Sequence, residues 1–584
     1  MSAATAAQWR QRMRAHEIRL PPLDEPDHAG QARVADQSAA PVLERPRIDV
    51  LPGPPAAAGP PAASGTAIAA DAVATEPPPR RPRDTAWNGH GLLLLAVVTV
   101  QIVLSLRLVW TNSAYIDEAT YLWAGHLELA HWLHGTAVPP FQTWLSGAPV
   151  IYPPIAALAN SAGGLVAARL LSLTFMIGAT ILLWGVTSRL FGVRAAFFAT
   201  ALFAVLGPTQ FLGALATYDA MALLLLTVSA WCVVAARDHD DSALLLVAAA
   251  CALALANATK YATALFDPVI VALAALVIAE KYGVKAALGR AGYIAASVTG
   301  LVAVLLALGG PLYLVGIMYT TLARAAGSDP PAVVLADSSR WVGIVWALAW
   351  IGVLVCWRRR DKTQVWLLTV MAVAGMLAPM EQARIHTITS LHKHVDFGAW
   401  LAAPAAGYAL AQLSRISRRR IASMAAAGLV AAALVPVGAL GAAQAEKLFR
   451  AWPESAVAVS QIRSLTRMYP GNFLAEDYDI PAYYLERTVP WRRWSDTWYF
   501  SYVPPGAHHA LTGAAAFRAA IARHHFSLII LDFLATPGTD AEITADMQQA
   551  GGYEIAADLP FSFGHYTIWI YKPQRHPEGR HGHR

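Results

Sequence analysis

From Gly91 onward the chain alternates between long apolar runs and short polar connections. A helix needs about 20 apolar residues to cross the hydrocarbon core of a bilayer. Runs near that length lie at 90–110, 163–187, 195–214, 218–236, 243–259, 262–280, 291–314, 341–357, 364–380, 397–413 and 421–441. The pattern predicts an α-helical polytopic membrane protein with about eleven spans, occupying residues 85–441. Beyond that the texture changes. "NFLAEDYDIPAYYLER", "FSLIILDF", "YEIAADL" and "HYTIWIYK" read as short strands alternating with helical stretches such as 512–525, which predicts a small α/β domain over 442–573. The two ends predict no fold: residues 1–84 are Pro-, Ala- and Gly-rich and cannot bury enough apolar surface to offset ordering entropy. Residues 574–584, "RHPEGRHGHR" with its flank, read as a disordered tail rather than a metal tract.

Composition supports this class. Hydrophobic residues make up 56% of the chain and charged residues only 14%, against about 25% charged in soluble proteins. The net charge of +6 is no nucleic-acid signature, because the arginines sit in short clusters between apolar runs. Cytoplasmic loops are marked in this way. Arg80, Arg81 and Arg83 precede the first span and put the N-terminus inside. Alternation then gives the inner loops Arg189, Arg194, Arg237, "EKYGVKAALGR", "WRRRDK" and "SRISRRR". The outer loops receive Lys260, Arg324, Arg340, Arg384 and Lys393, and an odd count of spans leaves 442–573 on the outer face of a plasma membrane. Cys232, Cys251 and Cys356 lie in apolar runs and read as small hydrophobes.

The first outer loop carries the most informative stretch, "SAYIDEATYLWAGHLELAHWLH". Leu122, Leu129, Trp132 and Leu133 recur at helical spacing, which predicts an interfacial helix lying on the membrane surface. Asp117 and Glu118 stand just before it. Carboxylates there cap a helix and favour its dipole, so capping alone is one reading. Yet one carboxylate suffices for a cap, and residues 111–168 contain no Lys or Arg to pair with either acid.

"YIDEATYLWAGHLELA", followed by "YPPIAAL", then "AARLLSLTFMIGATILLWGVTSRLFGVRAAFFATALFAV" and "ATYDAMALLLLTVSAW", resembles the membrane-embedded glycosyltransferases of the GT-C class. It is most similar to the branch that contains the protein O-mannosyltransferases and the lipid A aminoarabinose transferase. The resemblance runs through residues 90–280, loosens to about 440 and covers neither terminal region. It implies a GT-C-like fold, a polyprenyl-phosphate-linked sugar donor and transfer on the extracytoplasmic face to a glycan, lipid or protein acceptor. It also implies Asp117 as the catalytic acidic residue, the base of the reaction, with Glu118 beside it. General chemistry agrees: glycosyl transfer needs a carboxylate to take the acceptor's proton while positive charge develops on the sugar. A lipid-phosphate leaving group needs cations rather than a protein acid. Such a donor requires no nucleotide site, and no cofactor or metal is expected.

Candidate donor-binding residues follow from charge placed where the membrane disfavours it. Asp219, in "TYDAM", begins a span on the outer side, where capping and function account for it equally well. The family's "KPP" is "YPP" here, so Tyr152 stands in place of a phosphate-binding Lys and another cation must act. Lys260, with Tyr261 beside it, lies at an outer span end, where snorkelling is the alternative. "EQARIHTITSLHKHVDF" gathers Arg384, His392, Lys393 and His394, the densest outer cationic cluster. A phosphate partner explains it better than a metal, since His392 and His394 diverge on a helix. The rival function is a transporter or lipid flippase, which should show Gly- or Pro-broken helices in symmetric halves and charges near mid-span.

Overall fold

The computed structural model describes residues 87–239, 242–324, 326–414 and 420–573; the stretch 1–84 and the tail 574–584, both expected to be disordered, lie outside them. The chain enters through α1 (Trp87–Val109), then α2 (Ile116–His134), and returns through α3 (Tyr152–Phe191). Next come α4 (Val193–Ala204), α5 (Gly207–Leu212), α6 (Tyr218–Ala235), α7 (Ala243–Thr259) and α8 (Asp267–Gly309). The helical part is completed by α9 (Pro311–Ile317), α10 (Pro331–Arg358), α11 (Lys362–Arg384), α12 (Leu391–Leu413), α13 (Arg420–Ala432) and α14 (Leu434–Phe449).

Seven helices among the described residues are long and apolar enough to cross a membrane, against the eleven runs expected from hydropathy. The difference has local causes. The helical stretches 152–191 and 261–309 each cover two of the expected positions or their approaches. Their axes break at Gly164 (φ 67°) and Gly283 (φ 79°), a backbone region open to glycine at little cost. The run 195–214 is divided by Gly207–Pro208 into α4 and α5, because Pro208 cannot continue the preceding helix. Helix α7 has 17 residues, and α12 carries Lys393 and Asp396 in its first turns. "YPPIAAL", expected in a loop, forms the first turns of α3. These breaks fall near the ends of apolar runs and carry no charged side chain at the broken residues, unlike the mid-span sites of a transporter.

The C-terminal region adds α15 (Ala456–Met468), β1 (Asn472–Ala475), α16 (Asp479–Tyr484), β2 (Trp494–Ser495) and the small hairpin of β3 (Ser501–Tyr502) and β4 (Leu511–Thr512). It ends with α17 (Ala514–Ile521), β5 (Phe526–Leu531), α18 (Pro537–Ala550), β6 (Tyr553–Phe561) and β7 (Gly564–Tyr571). The main sheet has the order β2-β1-β5-β7-β6, parallel across β2, β1 and β5 and antiparallel beyond. Strand alternation sends Leu474, Ile529 and Trp569 to one face, under α17 and α18. It sends Phe473, Leu528, Ile530 and Ile568 to the other, which shares a core with Leu122, Trp123 and Phe141, between α1 and α3. "NFLAEDYDIPAYYLER" is therefore strand only over its first four residues; Pro481 and the tyrosines form α16, which packs on α2.

Trp123 and Phe141 are fully buried at this junction, each contributing about 1.5–3 kcal/mol of apolar burial. Close approach of α2 to α3 depends on Gly125. A Cβ there would lie 2.0 Å from the Pro153 carbonyl oxygen and 2.8 Å from the Ala157 side chain. Gly125→Ala should lower stability by about 1–3 kcal/mol through overpacking. Thermal denaturation of the detergent-purified protein checks this, and an unchanged midpoint would mean that α2 does not seat on α3.

Candidate active site

The Asp-Glu pair falls in the first turn of α2, not ahead of it; Tyr115 is the N-cap, and its backbone N–H donates to Glu118 Oε2 at 3.0 Å. Neighbouring helix positions point about 100° apart, so the two acids face different surroundings. Glu118 turns inward. Arg169 of α3 grips it through Nε to Oε1 (2.8 Å) and Nη2 to Oε2 (2.7 Å), and the Ala216 N–H donates to Oε1 at 2.7 Å. The same guanidinium donates to the carbonyls of Val109 (3.0 Å), Thr111 (2.9 Å) and Ser113 (3.1 Å). These include the carbonyl that ends α1, a group with no partner inside its own helix. The lack of a pairing cation, inferred from the loop alone, is thus corrected: the cations arrive from other helices.

Asp117 turns the other way and meets Lys393 of α12, Nζ to Oδ2 2.5 Å. Lys393 also lies 6.0 Å from the Tyr115 ring centroid. Burial and the adjacent Asp117 charge push the Tyr115 hydroxyl up to about 12, with Asp117 the larger cause. A second pair lies alongside, Asp219 at the start of α6 with Lys260 at the end of α7. Lys260 lies 5.1 Å from the Tyr218 ring and 5.8 Å from that of Phe397. Tyr121 and Tyr218, with ring centroids 4.4 Å apart, bridge the two pairs. Asp117 keeps 30% of its side chain exposed, whereas Asp219 has none. Of the two acids, only Asp117 is open to a hydroxyl-bearing substrate.

The remaining sequence candidates divide. His394 bonds Gln382 and feels the charges of Lys260, Lys393 and Asp219, so it belongs to the site wall. His392 points into an aromatic corner, edge-on to Phe211 at 4.9 Å. Tyr261 is buried beside Lys260 with its hydroxyl unpartnered. Tyr152 is fully buried and edge-on to Tyr121 at 6.3 Å, a packing position behind the site. Arg384 is not brought in: it pairs with Glu381 on its own helix and is 63% exposed. Arg324, not singled out as a site residue from sequence, is partly buried after α9, close enough to feel Asp117 and Tyr218. Among the described residues it makes no ion pair, and no three His, Cys, Asp or Glu side chains converge as metal ligands.

Residues 148–321 match the family model described as dolichyl-phosphate-mannose-protein mannosyltransferase. No curated protein matches the sequence. Among solved structures, the chain is similar to the archaeal oligosaccharyltransferase AglB from Archaeoglobus fulgidus, in complex with an inhibitory peptide and a dolichol-phosphate. That likeness has a TM-score of 0.53 and 13% identity, and covers 84% of this chain and 75% of that one. ArnT from Cupriavidus metallidurans in the apo state gives a TM-score of 0.51 at 14% identity, covering 84% of this chain and all 100% of that one. The ArnT structure bound to undecaprenyl phosphate gives 0.50 at 14% identity over the same shares, 84% and 100%. The chain is a multi-pass membrane protein with the fold of the GT-C glycosyltransferases. The resemblance read from its first loop and the fold agree.

Glu118 and Arg169 are buried together, with side-chain exposures of 0% and 1%. Removing one partner of such a pair strands a charge and costs about 3–5 kcal/mol. Arg169→Met and Glu118→Gln should each destabilise the protein by about that amount. The double variant should lose less than their sum, as read by a double-mutant cycle of thermal denaturation.

Proposed function

We propose that the protein is a glycosyltransferase that moves a sugar from a polyprenyl-phosphate-linked donor to an acceptor on the extracytoplasmic face of the plasma membrane. One observation carries the reading: a buried acid–lysine pair, a half-buried one and a third cation lie together. Asp117 and Asp219 offset Lys393 and Lys260, and Arg324 leaves one positive charge over. A sugar linked through a phosphodiester brings one negative charge, which balances it. The lipid phosphates bound by the two solved neighbours are ligands of this chemistry.

In the reaction, the bond between the sugar's anomeric carbon and the phosphate oxygen breaks, and its electron pair stays on the phosphate. Lys393, Lys260 and Arg324 stabilise that growing charge. The acceptor's hydroxyl oxygen, engaged by Asp117, forms the new bond to the anomeric carbon, and its proton passes to a carboxylate of the site. Glu118 acts by holding the turn that aims Asp117, so it is a positioning residue. A cell-wall glycan, a lipid or a protein each supplies such a hydroxyl.

Membranes containing the protein, incubated with radiolabelled prenyl-phosphate sugars, should consume one of them and release the prenyl phosphate. Asp117→Asn should abolish that transfer while insertion persists. Lys393→Ala should weaken donor use by at least about tenfold, the effect of a lost charge-assisted contact, with Lys260→Ala second. Arg384→Ala should leave donor saturation unchanged. No consumption of any such donor by the intact protein would end the reading.

The arginine-rich connections after α10 and α12 argue for a cytoplasmic N-terminus and an outer C-terminal region. Reporter fusions after Arg360 should read cytoplasmic, and fusions after Gly538 external. A cytoplasmic signal at Gly538 would place the C-terminal sheet on the wrong face for this reaction.

A further inference from the structure

The entry to α2 is gripped by residues from far along the chain. Asn112 adopts a left-handed backbone (φ 61°), which asparagine tolerates better than most side chains. Its Nδ2 donates to the carbonyls of Phe449 (2.9 Å) and Trp452 (3.1 Å). Phe449 ends α14, so its carbonyl has no partner inside that helix. Ser113 then meets the turn between α14 and α15 with every polar atom it has. Its N–H donates to Glu454 Oε2 at 2.9 Å and to the Asn112 side-chain oxygen at 2.8 Å. Its carbonyl accepts from Trp452 Nε1 at 3.2 Å, beside the bond from Arg169. Its hydroxyl oxygen accepts from the Ser455 N–H (2.8 Å) and the Ser455 hydroxyl (2.9 Å). The next N–H, that of Ala114, donates to the Tyr484 hydroxyl of α16 at 2.9 Å.

Ser455 is the N-cap of α15, where a serine hydroxyl ordinarily accepts an N–H from its own helix. It makes no such bond. The hydroxyl turns to Ser113 instead, and both serines are buried. A local preference given up in this way points to a constraint set elsewhere. That constraint lies at the start of α2. Ser113 stands four residues before Asp117. The Trp452 ring lies 5.0 Å from the Tyr115 ring, and the same Tyr115 ring lies 6.0 Å from Nζ of Lys393, the partner of Asp117. Arg169 holds Glu118 and the Ser113 carbonyl from α3, while Trp452, Glu454 and Ser455 hold Ser113 from the C-terminal side. Held by both, the first turn of α2 keeps one direction.

We propose that Trp452, Ser455 and Tyr484 are positioning residues for glycosyl transfer: they fix Ser113 and Ala114, and with them the direction in which α2 presents Asp117. This rests on the glycosyl-transfer reading above. The C-terminal region is then a working part of the transfer site and not a separable binding module. The cations for the donor phosphate stand on α12, at the end of α7 and after α9, so the grip acts on the attacking hydroxyl more than on donor binding. Aim matters because a misplacement of about 1 Å can cost about a hundredfold in rate.

The test compares kcat and donor KM of the purified full-length protein, normalised to the folded fraction, with thermal denaturation alongside. Ser455→Ala and Tyr484→Phe should each lower kcat by about tenfold, and Ser113→Ala by up to about a hundredfold, with donor KM changed by less than about twofold. Ser460→Ala, on the exposed side of α15, should leave both constants unchanged. A role in stability alone would lower the thermal midpoint and leave the normalised kcat as it was, and that result overturns the proposal. A raised donor KM at unchanged kcat overturns it as well. Should Ser113→Ala not fold, unchanged kcat in Ser455→Ala and Tyr484→Phe overturns it equally. Absence of donor turnover in the unsubstituted protein would fail the glycosyl-transfer reading itself, and this inference with it.

Discussion

The buried ion pair of Glu118 and Arg169 is the constraint on which the site geometry depends. A buried pair is stable only when its remaining donors and acceptors are also satisfied. Here two backbone N–H groups complete the carboxylate and four carbonyls complete the guanidinium. The pair therefore stitches together the end of α1, the start of α2, the middle of α3 and the approach to α6. With Glu118 turned inward, helix geometry leaves Asp117 facing outward toward α12. The ion pair with Lys393 follows from that orientation, since the buried lysine must find an acid.

The C-terminal region is part of the same construction. Its sheet shares a core with α2, so the stretch between α1 and α3 is covered by protein. Glu476 is held below the usual carboxylate range because its hydrogen bonds to the backbone and to its neighbours outweigh its burial. The neighbouring Asp532 and Asp540 are pushed up by burial and by Glu476. That arrangement keeps the exit of β1 aimed at α2.

Much of this was legible in the chain. Apolar run length marked the helices, and carboxylates without local cations singled out Asp117 and Glu118. Cations on the outer side singled out Lys260 and Lys393. What sequence could not supply was pairing across distance. Asp117 and Lys393 are separated by 276 positions, and only the packing of α12 against the bundle brings them together. The same limit hid Arg169 as the partner of Glu118. Arg384 shared a predicted loop with Lys393, yet it ends α11 and pairs at the surface with Glu381 of its own helix, whereas Lys393 lies in the first turn of α12. Tyr121 and Tyr218 carried a usable signal, each lying within a turn of an acid at an outer helix end. Arg324 carried none, because only the folded loop after α9 brings it near Asp117 and Tyr218.

The account makes one claim from which the rest follows: a lipid phosphate binds between Lys393, Lys260 and Arg324. The most direct measurement is a cryo-electron microscopy map of the purified protein with a polyprenyl phosphate. The account predicts phosphate density within hydrogen-bond reach of Lys393 and Lys260, with Asp117 beside it and the prenyl chain running into the bilayer. Phosphate density at the Arg384 surface, or at the cleft beside His239 and Arg290, with the lysines still bound only to their acids, would contradict it.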